Sequence, residues 1–191
     1  MKVLVTGGLG FIGSHTVVEL QEKGFEVVII DDLSNSSIDV LQGITAITGK
    51  PPVFEKLDLK DRDNVAAFFS KHQDIIGVIH FAASKAVGES VEKPLLYYEN
   101  NINTLVYMLK EVLKLKTSNF IFSSSCTVYG QADTMPITEQ APIKPAESPY
   151  GNTKQIGEEI IKDTCKVHSE LKAISLRYFN PVGAHASANI G

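Results

Sequence analysis

The run Gly7-Gly8-Leu9-Gly10-Phe11-Ile12-Gly13 constrains this chain more than any other stretch. It follows an apolar segment, Lys2-Val3-Leu4-Val5-Thr6, and leads into an amphipathic one, Ser14 to Lys23. That order reads as strand, tight turn, helix. Glycine at 7 permits the turn, glycine at 10 lets backbone approach a pyrophosphate, and glycine at 13 allows helix and strand to pack closely. The helix start then offers free N–H groups and a partial positive charge to phosphates. A second strand, Glu26 to Ile30, delivers Asp31 at the distance where a carboxylate receives a ribose 2′-hydroxyl. The spacing is G-x-x-G-x-x-G rather than G-x-G-x-x-G, and a glycine turn alone also suits any tight strand-to-helix connection.

Strand-like and helix-like segments alternate along the rest of the chain. After Asp31 comes a polar loop, then Ile38, Leu41, Ile44 and Ile47 at helical spacing, ended by Gly49 to Pro52. Strands are expected at 53–57, 77–81, 119–122 and 173–176, helices at 61–71, 94–115 and 150–167, and loops at 82–93 and 131–149. Such alternation implies a parallel sheet with helices on both faces and right-handed crossovers. The expected fold is α/β, a doubly wound Rossmann-type sheet of strand order 3-2-1-4-5-6, forming one dinucleotide-binding domain over 1–191. The carboxyl ends of strands 1, 4 and 5 then converge on a switch-point crevice.

A net charge of −4 gives no reason to expect nucleic acid or an anionic membrane as partner. The apolar runs are strand-sized, too short to span a bilayer. The first residues do not resemble a signal peptide. Cys126 and Cys165 lack metal-ligand spacing, so no metal site or disulfide framework is expected, and the default location is the reducing cytoplasm. The 94–115 segment carries apolar residues around well over half its circumference, more than one sheet-facing stripe requires. The surplus points to a homodimer interface, or else to a second domain packed on it or simply an over-hydrophobic helix.

Tyr150 and Lys154 lie four apart at the start of the 150–167 helix and project from one face. A free phenol has a pKa near 10, and an ammonium held close favours the phenolate by roughly 1–3 pH units. Ser125, at the tip of strand 5, can bond the substrate oxygen whose proton Tyr150 removes. These three form the candidate catalytic group.

Together, TGGLGFIG, HFAASKAVGESVEKPLLYYENN, FIFSSSCTVYG, SPYGNTK and RYFNPVGAH resemble the UDP-glucose 4-epimerase family of extended short-chain dehydrogenases/reductases, over the whole of 1–191. G-x-x-G-x-x-G is that superfamily's form of the turn. The resemblance implies NAD as cofactor and a UDP-sugar, UDP-galactose or UDP-glucose, as substrate. It implies a reversible oxidation at sugar C4, with Tyr150 as base, Ser125 orienting the oxygen and Lys154 holding ribose and charge. Phe11 and Ile12 would meet the pyrophosphate and Asp31 the adenosine ribose, with Asp32, Leu33, Ser34, Asn35 and Ser36 beside it. Asp58 and Leu59 would face adenine. Phe81, Ala82, Ala83, Ser84 and Lys85 would line the cofactor, Asn100 would sit near its ribose, and Phe179 near the nicotinamide. Lys85, Ser125, Tyr150 and Asn180 would touch substrate. On charge alone, Asp31 and Asp32 would repel a 2′-phosphate, favouring NAD over NADP. Dimerisation would use the 94–115 and 150–167 helices. Family members continue into a lobe that grips the uridine diphosphate, and that lobe is not expected within 1–191.

Rival readings stay open from sequence. Sugar-nucleotide dehydratases share the turn and the Tyr/Lys pair but carry an acid–base carboxylate pair beside the hydroxyl residue, where this chain has Cys126-Thr127-Val128. An epimerase-reductase would pair Cys126 with a histidine, for which His185 is the nearby candidate; His15, His72, His80 and His168 read as structural or exposed. A module that binds NAD without chemistry is the remaining alternative.

Overall fold

The computed structural model describes residues 1–115 and 118–191. Six strands form one parallel sheet in the order β3-β2-β1-β4-β5-β6. The strands are β1 (Lys2–Thr6), β2 (Glu26–Asp31), β3 (Val53–Lys56), β4 (Ile75–His80), β5 (Ser118–Ser125) and β6 (Leu171–Tyr178). The helices are α1 (Phe11–Glu22), α2 (Val40–Thr48), α3 (Arg62–Lys71), α4 (Val87–Glu92), α5 (Pro94–Val112) and α6 (Pro149–Val167).

Alternation along the central strands divides the core in two. Leu4, Val28 and Ile30 point to one face, where Phe68 and Phe69 of α3, Leu105 and Met108 of α5 and Ile161 of α6 pack on them. Val3, Val5, Val27 and Ile29 point to the other, against Val17 and Val18 of α1 and Ile44 of α2. Successive side chains of a strand face opposite ways, so a run apolar at every position must be covered on both sides. The segment after β6 returns to this second face, where Ile190 is buried and the Asn189 carbonyl leaves no room for a side chain at Gly43.

Several boundaries differ from the sequence reading, each for a physical reason. Helix α1 begins at Phe11, not Ser14, so Gly13 lies inside its first turn. A Cβ there would stand 2.2 Å from the Gly7 carbonyl oxygen. Gly7 has φ +65°, and a Cβ on it would meet the Ala82 backbone nitrogen at 2.8 Å. Ile38 precedes α2 and is exposed. Strand β4 starts at Ile75, and Phe81 lies just past its end, its N–H donating to the Thr6 carbonyl. The 82–93 stretch is not all loop: α4 occupies 87–92, its start held by the buried Tyr97 hydroxyl, which accepts from the Ala86 N–H. Helix α5 stops at Val112, three residues early. Strand β5 continues through Ser125, and residues 126–129 form a 3-10 turn.

The α5 surplus is resolved in detail. Tyr97, Leu105, Met108, Leu109 and Val112 are buried, Ile102 and Val106 partly so, while Leu95 and Leu96 are exposed. Between α5 and α6 runs a groove of about 380 Å³, lined in part by Val106, Leu109 and Leu113 of the α5 side and Ile160 and Val167 of α6.

Gly13→Ala is expected to destabilise the protein by about 1–3 kcal/mol despite alanine's better helix propensity, because backbone must move to admit the methyl. Urea unfolding checks this, and an unchanged midpoint would refute the packing argument.

Candidate active site

The carboxyl ends of β1, β2, β4 and β5 open on a crevice of about 1090 Å³. Its floor is the glycine turn. The N-cap of α1 is Gly10, and the first intrahelical bond runs from the Ser14 N–H to the Gly10 carbonyl. The amides of Phe11, Ile12 and Gly13 therefore have no acceptor within the helix. With side chains excluded at 7 and 13, this backbone is bare to an anion.

Asp31 ends β2 and is buried. Its Oδ2 accepts from the Leu9 N–H at 3.1 Å, and its Oδ1 accepts from the Leu33 N–H at 3.0 Å and the Ser36 hydroxyl at 2.7 Å. A carboxylate offers about four lone-pair positions, so one on Oδ2 remains for a ligand hydroxyl. The residue thus ties the glycine turn to the loop after β2 as well as facing the crevice. That loop passes through Leu33 in the left-handed region, φ +64°.

Nearly all the residues singled out from sequence meet here. Gly7, Gly10, Phe11, Ile12, Gly13, Asp31, Asp32, Ser34, Asn35, Ser36, Asp58 and Leu59 line one end; Phe81, Ala82, Ala83, Ser84, Lys85, Asn100, Ser125, Tyr150, Lys154, Phe179 and Asn180 line the other. Leu33 is the exception: its side chain packs on the α1/α2-side core. The loop 81–85 is anchored from α5. Asn101 accepts from the Ser84 N–H at 2.8 Å and donates to the Ser84 carbonyl at 2.9 Å, while Asn100 donates to the Ser84 hydroxyl at 2.9 Å. Asn101 also donates to Thr153 of α6, so one side chain links the loop to the helix bearing Tyr150.

Pro149 and the Ser148 hydroxyl, which accepts from the Gly151 N–H, start α6. Lys154 is buried and donates to the Ser123 carbonyl at 2.8 Å, with Nζ 5.7 Å from the centre of the Tyr150 ring. Burial pulls its ammonium down from 10.5 to about 8. Burial pushes the Tyr150 phenol above its usual value, a hydrogen bond with Ser125 opposing it. The expectation is that the lysine ammonium, with a charged nicotinamide, favours the phenolate; the protein by itself instead raises the phenol, because loss of water is the largest influence on it. The Ser125 hydroxyl also accepts from the Thr127 N–H.

Three further features shape this wall, two of which, the Thr127 hydroxyl and the Tyr97–Glu89 contact, sequence reasoning missed. The Thr127 hydroxyl, two residues past Ser125, is the one buried side-chain oxygen without a partner among the described residues. It lines the crevice, and the S-x-T spacing is the signal that could have flagged it. Cys126 stands beside it as a free thiol. The Tyr97 hydroxyl donates to Glu89 at 2.9 Å, placing a carboxylate near the rim.

The histidines sit apart from this chemistry. His80 is buried and held neutral by burial, then by the Lys154 charge, its pKa falling to about 3. Its Nδ1 shares a hydrogen bond of 2.8 Å with the Thr6 hydroxyl. His185 lies against His15 of α1 and does not line the crevice, so it is not brought to Cys126. No group of His, Cys, Asp or Glu suited to a metal occurs among the described residues.

Lys154→Met is expected to stabilise the protein at pH 7 by about 1–3 kcal/mol, by removing a desolvated charge. The wild type bears that cost fully below pH 8 and loses it as pH rises from about 8 to 10.5, where the folded lysine is neutral but the unfolded one still charged. Urea melts at several pH values should therefore show the two proteins converging upward across that window. A constant difference would refute the assignment.

A family model described as NAD dependent epimerase/dehydratase matches residues 3–190. The UDP-glucose 4-epimerases of Erwinia amylovora and Bacillus subtilis are each 48% identical over 191 residues, all of this chain. The chain spans 56% of the length of each. Among solved structures, a Stenotrophomonas maltophila UDP-glucose 4-epimerase with bound NAD and formylated UDP-arabinopyranose superimposes with TM-score 0.95 at 48% identity. That of Bifidobacterium longum, in complex with NAD+ and UDP, superimposes at 0.96 and 44%. Each match covers all of this chain and 56% or 57% of the other. No helix among the described residues is long and apolar enough to cross a membrane. The bare glycine cradle, the buried Asp31 with a lone pair to offer and the serine-tipped β5 fit a dinucleotide, and the chain belongs to the NAD dependent epimerase/dehydratase family.

Proposed function

We propose that this chain is the NAD-binding, base-bearing portion of an enzyme that interconverts UDP-galactose and UDP-glucose at sugar C4. The observation that carries the reading is the grouping of Ser125, Tyr150 and the buried Lys154 in one crevice with the glycine turn. The backbone amides at Phe11 and Ile12 hold the pyrophosphate, Asp31 and the 32–36 loop the adenosine ribose, and Asp58 with Leu59 the adenine. Phe81 to Lys85, Asn100 and Phe179 flank the rest of the cofactor.

NAD, when bound, supplies the acceptor for the electrons leaving the sugar carbon, their return, and a positive ring near the phenol. Tyr150 takes the proton from the C4 hydroxyl and later gives it back. Ser125 holds the sugar oxygen, and the Thr127 hydroxyl offers a further hydrogen bond to substrate. Lys154, fixed on the Ser123 carbonyl, binds ribose and keeps positive charge behind the phenol. Lys85 and Asn180 contact substrate from the opposite side. A dehydratase is disfavoured because Cys126-Thr127 supplies no carboxylate beside Ser125. We assign the groove between α5 and α6 to a second copy of the chain, two helices from each packing together, and place the protein in the cytoplasm.

In the whole enzyme of which this chain is a portion, incubation with UDP-galactose should yield UDP-glucose without added NAD, and Tyr150→Phe should lose most of that turnover, about 10²–10⁴-fold, while still binding NAD. Turnover near wild type in that variant would refute the base assignment. Sedimentation at micromolar concentration is expected to give a dimer, and Val106→Glu a monomer; a wild-type monomer would remove the interface.

A further inference from the structure

Behind the tip of β5 lies a polar bridge whose two charged members, Glu158 and Arg177, do not line the crevice. The Ser124 hydroxyl, itself buried, donates to Glu158 Oε1 at 2.5 Å. Arg177 donates to the same carboxylate through Nε at 2.9 Å and Nη2 at 2.7 Å, and its guanidinium lies 4.8 Å from the centre of the Tyr129 ring. Only 21% of the arginine side chain and 14% of the glutamate is exposed. Glu158 sits four residues after Lys154 and eight after Tyr150, on the same face of α6. Arg177 pairs with Ser124 across β5 and β6, and Tyr178, Phe179 and Asn180 follow it into the crevice wall.

We infer that Glu158, Arg177 and Ser124 are positioning residues, which fix the register of α6 against β5 and β6 and so hold Tyr150 and Lys154 opposite Phe179. Three successive serines each meet one turn of α6. Ser125 meets Tyr150, the Ser123 carbonyl takes Lys154, and Ser124 takes Glu158. Apolar packing would hold helix and sheet together but permits sliding. A two-pronged guanidinium–carboxylate contact has one geometry, and leaving either partner alone in a half-buried place is strongly unfavourable. Small displacements matter at this site, since a shift of about 1 Å in a reacting group can cost 10²-fold in rate.

The test compares wild type with Arg177→Met, Arg177→Lys and Ser124→Ala, measuring native-state amide hydrogen exchange and single-turnover appearance of reduced nicotinamide with UDP-galactose. Arg177→Met should speed exchange across residues 153–159 about tenfold or more while leaving β1 and α1 unchanged, the pattern of a local opening. The single-turnover rate should fall about 10–100-fold, with half-saturation by UDP-galactose nearly constant. Arg177→Lys and Ser124→Ala, which keep part of the bridge, should fall between. Uniform acceleration through the sheet, or unchanged exchange in α6 in all three variants, would overturn the inference. The kinetic arm rests on the proposed function, but the exchange arm does not. A wild type that forms no reduced nicotinamide would sink that function and leave the bridge to be judged by exchange alone.

Discussion

The approach of Gly13 to the Gly7 carbonyl is the contact on which the crevice depends. It lets α1 start directly above the end of β1, so the helix's free amides face along the strand ends rather than into solvent. The same turn leaves the Leu9 N–H within reach of Asp31, which joins it to the loop after β2. It also leaves Ala82 packed over Gly7, which joins it to the loop after β4. Three strand ends are thereby fixed around one small volume before any side chain commits to chemistry. A methyl group at either glycine would push on backbone, which cannot rotate away as a side chain can.

Across the crevice the logic is reversed, and side chains rather than their absence set the geometry. Lys154 is buried although burial disfavours its charge, and Tyr150 is half-enclosed although burial disfavours the phenolate. A protein selected only for stability would place neither there, and such local losses are characteristic of sites that bind charged ligands. The surroundings are neutral hydroxyls, a carbonyl and a histidine that stays uncharged. A positively charged ring and a pyrophosphate arriving together would find partners already turned toward them, with little reorganisation left to make.

Much of this was legible in the sequence because it was written locally. The strand order follows from alternation with the glycine turn placed first, the turn from three glycines at a fixed spacing, and the Tyr150/Lys154 face from helical periodicity; the structure has each of them where that reading put them. What escaped was set by contacts distant in sequence. Helix α4 is short and glycine-containing, and its start depends on the hydroxyl of Tyr97 eleven residues on. The side chain of Leu33 turns to the core because Asp31 holds its backbone in a left-handed conformation. The Glu158–Arg177 pair spans a loop and a strand, and Arg177 alone in an edge strand reads as a surface charge. Even the sign of the shift at Tyr150 needed a measure of burial, since a cation four residues away in sequence says nothing of the water removed around it.

That sign bears on how the site must work. Burial drives the phenol up and the ammonium down to about 8, so at neutral pH the lysine keeps its charge and the phenol its proton. A pyrophosphate and a cationic ring held there would favour the charged form of each group, the anion the ammonium and the cation the phenolate. Binding would then ease formation of the phenolate, while the lysine's charge, already present at neutral pH, gains a partner. A phenolate favoured only beside its electron acceptor would not spend its reactivity on water beforehand. This ordering follows from the depth at which α6 seats its first two turns against the serine-tipped strand.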